Sequence, residues 1–297
     1  MITIQEKPSL ARRTTLGIGG TALAEVQVTD ALDCFALDSI VKKIGGTPFI
    51  LGAGSNILAD DGELPFVLIH PNIRTEPIIS YEVEGKALVT VGAGFPLQKL
   101  LYFCAENGLS GLEGLVGIPG NVGGAVAMNA GSYGVETCAQ LHSIVLYHPE
   151  HGIWQVDAAA IQYGYRYFCP CENLKNYMVL QATFALTQKE SNGIKKSMSL
   201  NFLKKKSTQP VAARSAGCVF KNPLGESAGR LLDAAGLKGK QMCGMAFSSV
   251  HANFLVNEGG GSAQAAFALI DCAREAVLQQ FGIQLEMEVR VISWQSR

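Results

Sequence analysis

Three glycine-rich runs interrupt this chain where short apolar segments end: Gly52-Ala53-Gly54-Ser55-Asn56, Gly92-Ala93-Gly94 and Gly117-Ile118-Pro119-Gly120-Asn121-Val122-Gly123-Gly124-Ala125. Glycine tolerates positive φ and leaves backbone N–H groups uncovered, so a tight turn of this kind makes a concavity for an anion. Ser55 and Asn56 add side-chain donors to the first turn. Several such turns, rigid and almost free of side chains, imply an extended ligand that carries phosphates and a flat ring, as a dinucleotide or a flavin does. The Rossmann fingerprint is absent, because no GxGxxG opens a helix after a strand with an acidic residue about twenty positions on. Its nearest approach, Gly17-Ile18-Gly19-Gly20, precedes a predicted strand instead.

The chain of 297 residues is 48% hydrophobic and 16% charged, enough to bury a large core and more than one average domain. That apolar content excludes a disordered chain, and the 33 glycines follow no G-X-Y period. A net charge of −1 gives no bulk attraction to nucleic acid or to an acidic membrane surface. The longest uncharged stretch, 114–135, holds seven glycines, one proline and two asparagines and so does not read as a membrane span. The first twenty residues lack a signal-like apolar run, so the expectation is a cytoplasmic protein whose eight cysteines are reduced and mostly buried.

Alternation of Ala22, Ala24, Val26 and Val28 predicts a strand, followed by a helix from an Asp30 cap to Lys43 and strands over 48–51 and 66–69. Residues 78–83 and 87–91 predict a hairpin about Glu84-Gly85-Lys86, ahead of a helix over 96–107 with Pro96 in its first turn. Further strands are expected over 144–147, 153–156 and 178–186, helices over 227–235 and 262–281, and a closing strand over 285–292. The lysine-rich stretch 188–209 reads as a solvated helix face and a connector. The expected organisation is therefore three segments, 1–70, 71–187 and 188–297.

The ordered motifs TTLGIGGTA (14–22), ILGAGSNIL (50–58), GLSGLEGLVGIPGNVGGAVAMNAGSYG (108–134), YGYR (163–166), SAGCVFKNP (215–223), HANFLVN (251–257) and LEMEVRVI (285–292) cover nearly the whole chain. Through them it resembles the UDP-N-acetylenolpyruvoylglucosamine reductases of peptidoglycan synthesis, and its compact build resembles their shorter, type II branch. The resemblance implies an α+β fold, with a two-part FAD-binding domain of the vanillyl-alcohol-oxidase type (1–70 and 71–187) and a C-terminal α+β substrate-binding domain (188–297). It also implies FAD as cofactor, NADPH as co-substrate, a sugar-nucleotide substrate, and a monomer with neither nucleic acid nor membrane as partner. The implied reaction gives UDP-N-acetylmuramate, and the expectation is that it falls with oxidoreductases acting on CH–OH donors.

Carried over residue by residue, the resemblance makes Arg166 the cation for a carboxylate, Glu288 the stabilising or protonating carboxyl, and Cys218 the proton donor. Glu286 competes with Glu288, two residues away on the same predicted strand face. The family usually has serine where Cys218 stands; a thiol with an ordinary pKa of about 8.5 is the stronger acid and keeps the chemistry open. Gly52, Ala53, Gly54, Ser55, Asn56, Gly92, Gly117, Ile118, Pro119, Gly120, Gly123, Gly124 and Ala125 are the cofactor-binding candidates. Tyr165, Lys221, Asn222, His251 and Asn253 are the substrate-binding candidates. No metal is expected, since Cys169-Pro170-Cys171 is too closely spaced for a zinc knuckle. The alternatives are a non-catalytic flavin or sugar-nucleotide binding homologue and a flavin oxidase of the same fold.

Overall fold

In the computed structural model, which describes residues 2–81, 85–172, 174 and 176–294, helices start where a cap is available. Asp30 accepts the Leu32 N–H at 2.8 Å while the Asp33 carboxylate accepts the Asp30 N–H at 3.1 Å. This capping box winds the turn Ala31–Asp33 into the helix Cys34–Ile44. Ser262 Oγ accepts the Ala265 N–H at 3.2 Å and opens the helix Ala263–Phe281, which Gly282 ends at φ 66°. Ser227 caps Ala228–Ala234 in the same way, and Pro96 is the N-cap of Leu97–Glu106.

Two compact units result, each assembled from segments distant in sequence. The first comprises Met1–Gln5, Ala24–Ala53 and Phe66–Lys204; the second comprises Glu6–Leu23, Gly54–Pro65 and Lys205–Arg297. The chain thus leaves the first unit inside the glycine turn, after Ala53.

In the first unit the strand Met178–Gln188 lies between Leu141–His148 and Lys86–Gly92, both antiparallel to it, with Ala182 opposite Ile144 on one side and Val91 on the other. Gly152–Asp157 and Ile78–Tyr81 flank them. The hairpin expected over 78–91 is present as Ile78–Tyr81 and Lys86–Gly92; Glu82, Val83 and Glu84 lie outside the described residues. Leu97–Glu106 contributes Leu97, Leu100, Leu101 and Cys104 to a core with Val89, Val91, Val122 and Phe184. A smaller core joins Val26, Val28, Leu37, Val67 and Leu180. There Thr47–Ile50 runs parallel to the outgoing strand, Phe49 opposite Leu68.

In the second unit an antiparallel sheet runs in the order Ser215–Cys218, Phe254–Asn257, Met245–Phe247, Gln241–Met242. The long C-terminal helix seals it with Phe267, Ile270, Ala273 and Val277, all buried with Phe220, Phe247 and Leu255. Phe281, the last residue of that helix, is 37% exposed.

Two expectations are corrected. The closing strand covers only Arg290–Ile292, paired in parallel with Ile57–Ala59, a strand that was not predicted. Residues 286–289 instead follow the 219–221 segment irregularly, with Lys221 N–H on Glu286 O at 2.9 Å and the N–H groups of Glu288 and Val289 both on Val219 O at 2.8 and 3.3 Å. Nor are the cysteines mostly buried: all eight are free, but only Cys34, Cys104 and Cys138 are buried. Burial first, then a neighbouring carboxylate, pushes each of these three thiols up to about 12.

Candidate active site

The run 117–125 is held from behind by the helix that precedes it. Gly117 N–H donates to Gln98 Oε1 at 2.9 Å, Gln98 Nε2 donates to Ile118 O at 2.8 Å, and Leu97 N–H donates to Gly120 O at 3.0 Å. Gln98 was not singled out from sequence; its place two residues after the Pro96 cap, in the first turn of the helix, was the available clue. Gly117 and Gly120 take φ of 76° and 125°, which only glycine adopts without strain. The run then enters a short helix, Val122–Ala127, where Gly123 packs so closely that a Cβ would lie 2.8 Å from Ala93 Cβ. Gly124 is exposed with nothing within 4 Å of an added Cβ, Pro119 is exposed, and Ile118 and Ala125 are half-buried and buried.

The other glycine turns divide by the same test. Gly52 is open at its Cβ position, whereas Gly92 is buried with Ile73 O only 2.3 Å from that position. Gly54, at φ +69°, admits the Arg13 carbonyl to 1.9 Å from where a Cβ would stand. Gly92 and Gly54 therefore have a packing reason to be glycine. Gly52 and Gly124 have none, and a bare backbone is what a close-lying cofactor requires. Ala53 and Ser55 are half-buried. The donor-rich, uncharged turns fit the pyrophosphate and ring of FAD on this ground.

Arg166 sits in the first unit at the tip of a hairpin formed by Gln162–Gly164 and Tyr167–Cys169. Its φ is 53°, its Nη2 donates to Gly131 O at 3.4 Å, and its guanidinium lies 5.1 Å from the centroid of the Tyr165 ring. Tyr165 is 48% exposed. Asn129, fully buried, braces the hairpin by donating to Gly164 O at 2.8 Å and to Glu136 Oε2 at 3.1 Å.

The second unit gathers Cys218, Lys221, Asn222, His251, Asn253 and Glu288 around one strand. Ser215 faces Val256 and Cys218 faces Phe254, so three steps on one strand oppose two on the other. Gly217 takes up the extra residue at φ +81°, a bulge that re-aims the half-buried Cys218. Ser215 is turned into its own bend, where its Oγ accepts the Gly217 N–H at 3.1 Å. Its carbonyl takes the Thr15 hydroxyl at 2.6 Å.

The two candidate glutamates differ. Glu286 is exposed and pairs with Lys221 at 2.5 Å, while Glu288 is half-buried and tied through its N–H to Val219, the residue after Cys218. Asn56 Nδ2, expected among the phosphate donors, donates to Glu288 O at 3.1 Å. Asn253 is 2% exposed and spends its amide on the backbone of Phe220, at 3.0 and 2.8 Å. Asn222 Oδ1 accepts the Ala228 N–H at 3.0 Å. His251 Nδ1 accepts the Asn253 N–H at 3.2 Å, and burial, reinforced by Lys238, holds the ring below the usual histidine value and so neutral. These three side chains build the strand's surroundings with the polar atoms expected to meet substrate.

Among the described residues, His148, Glu150 and His151 place three possible ligand atoms within 4.8 Å. The Glu150 N–H donates to His148 Nδ1 at 3.1 Å. No described helix is long and apolar enough to cross a membrane.

Comparison with known proteins defines the class first. The family described as "FAD binding domain" matches residues 24–148, and that described as "UDP-N-acetylenolpyruvoylglucosamine reductase, C-terminal domain" matches residues 209–292. The chain is thus a flavoprotein with an α+β FAD-binding part and a separate C-terminal α+β domain. It is 52% identical to the UDP-N-acetylenolpyruvoylglucosamine reductase of Nitratidesulfovibrio vulgaris, over 99% of this chain and 100% of that one. It is 34% identical to that of Bacillus subtilis, over 95% and 92%. The crystal structure of the reductase from Thermus caldophilus superposes with a TM-score of 0.79 at 31% identity, covering 99% of this chain and all of that one. The chain belongs to the UDP-N-acetylenolpyruvoylglucosamine reductase family.

Proposed function

We propose that this chain carries out the FAD-dependent, NADPH-using reduction of UDP-N-acetylenolpyruvoylglucosamine to UDP-N-acetylmuramate for peptidoglycan precursor synthesis. The observation that carries this reading is full-length identity of 52% to a reductase of that name. Because the bond reduced joins two carbons, the enzyme falls with oxidoreductases of CH–CH donors, which corrects the CH–OH grouping expected from sequence.

FAD, when bound, supplies the hydride for the terminal alkene carbon and is recharged by NADPH. Gly52–Asn56, Gly92 and the 117–125 run are the proposed holders, with the open positions Gly52 and Gly124 against the cofactor. Arg166, whose planar fork suits a carboxylate, holds the charge that develops there. The Cys218 thiol delivers its proton to the α carbon, solvent restores that proton, and the Glu288 carboxyl stabilises the enolic form. Tyr165, beside Arg166, and Lys221, beside Glu286, are proposed contacts for the sugar nucleotide. For Asn222, His251 and Asn253 the hydrogen bonds above favour a supporting role over direct contact.

The same reading assigns 1–70 and 71–187 to the two parts of the FAD-binding domain and 188–297 to the substrate domain, although the core of the last also takes in Leu16, Ile18 and Leu58. It makes the enzyme a cytoplasmic monomer with no nucleic-acid partner, which gel filtration and fractionation check directly. The test of the activity is anaerobic flavin absorbance. NADPH should bleach the yellow protein, and added UDP-N-acetylenolpyruvoylglucosamine should restore the colour; a flavin that stays bleached with substrate present sinks the proposal.

A further inference from the structure

Glu288 lies outside any regular strand, on a segment whose position depends on a few hydrogen bonds. Its N–H donates to Val219 O at 2.8 Å, which sets it beside the strand that carries Cys218. Its carbonyl accepts from Asn56 Nδ2 at 3.1 Å, and two residues on, Arg290 N–H donates to Asn56 O at 3.0 Å. Asn56 thus grips the chain on both sides of Val289, once with its side chain and once with its backbone. From Arg290 onward the segment pairs regularly, with Arg290 opposite Ile57.

We propose that Asn56 is a positioning residue for Glu288, setting where the carboxyl stands relative to Cys218. This rests on the reading that Glu288 acts on the substrate. The residue type follows from the geometry. The last residue of a tight glycine turn has to reach a backbone carbonyl across a short gap and offer it an N–H, which an asparagine amide does. Aspartate has the same shape but would face that carbonyl with an acceptor. Asn56 also ends the turn proposed to hold the flavin, so the turn that places the hydride source and the carboxyl that stabilises the enolic form share one brace. A displacement of about 1 Å in such a group can slow chemistry about 100-fold.

The test uses the FAD-loaded enzyme with Asn56→Ala and Asn56→Asp, reading flavin bleaching by NADPH and flavin recovery with UDP-N-acetylenolpyruvoylglucosamine as separate steps. Recovery should slow by about 10- to 100-fold in both variants, a larger factor than any accompanying change in bleaching. In combination with Glu288→Gln, Asn56→Ala should add no further loss, since both act through one carboxyl. In the cofactor-free protein, the amides of residues 287–291 should exchange with solvent faster in Asn56→Ala than in the parent. Should the alanine variant fail to fold, the isosteric aspartate carries the comparison. The proposal is overturned by a recovery rate within about twofold of the parent, by losses that multiply in the double variant, or by parallel loss of flavin affinity and both steps. If Glu288→Gln by itself leaves recovery intact, the reading of Glu288 fails, and that result is separate from the others.

Discussion

The 117–125 run in the first unit and the 215–222 segment in the second both depend on glycine, to opposite ends. In the first, glycine strips the surface: Gly124 projects nothing, and Gln98 secures the turn from its rear face. In the second, Gly217 serves to re-aim one side chain, Cys218, while the polar groups around it are already committed: Ser215 to Gly217, Lys221 to Glu286, Asn222 to Ala228 and Asn253 to Phe220. A surface for a large planar ligand is made by removing side chains, whereas a proton-handling site is made by immobilising a few. The contrast explains why four glycines in the first segment and a single one in the second serve different chemistry.

Changing the second segment should hurt turnover most. Glu288→Gln is expected to slow substrate-dependent flavin recovery by about 10²- to 10⁴-fold, the usual range for a positioned acid or base, with NADPH bleaching little altered in rapid-mixing absorbance. Loss of both steps together would place Glu288 with the cofactor instead. Next in size is a pair of glycine substitutions. Gly54→Ala meets both a left-handed φ and the Arg13 carbonyl, and should cost about 3 kcal/mol or more in urea unfolding. Gly124→Ala, with open space and a helical position, should stabilise the cofactor-free protein by up to about 1 kcal/mol while weakening FAD binding. Equal behaviour of the two would erase the distinction between packing glycines and platform glycines.

The smallest effect expected is on pH dependence. His251 has its pKa lowered in the folded protein by burial, so the unfolded chain takes up a proton first as pH falls below the ordinary histidine value of about 6.5. Its contribution to stability is whole above that pH and is lost progressively below it. The thermal midpoint should therefore fall less steeply between pH 7 and 5 in His251→Gln than in the parent. An unchanged slope would remove His251 from the account.

What could be read in advance was whatever had a local cause. Asp30 and Ser262 announced helices because a cap hydrogen bond lies within three residues of its source, and Gly282 announced a stop. The glycine runs were legible as turns because glycine in series has few uses. The helix Val122–Ala127 was not, since its two glycines argue against a helix; contact with Ala93 and the Gly123 N–H to Ala93 O bond override that propensity. The strand Ile57–Ala59 and the late start of the closing strand at Arg290 share another cause, a partner more than 200 residues away in the chain. Asn56, Asn222 and Asn253 stand out in the sequence as polar residues within motifs, yet no spacing could tell that their hydrogen bonds go to the chain itself. Arg166 and Cys218 were found through whole motifs rather than through any property of the isolated residues.

Cys218 is the proposed proton donor at the position where the family usually has serine. Its most direct test is single-turnover flavin recovery with UDP-N-acetylenolpyruvoylglucosamine, comparing the parent enzyme with Cys218→Ala and Cys218→Ser. The account predicts fast recovery in the parent, comparable recovery in the serine variant, and a loss of about 100-fold or more in the alanine variant with bleaching by NADPH intact. A parent that scarcely recovers and a serine variant that gains activity from that baseline would contradict it, and would identify this chain as a binding homologue that has lost turnover.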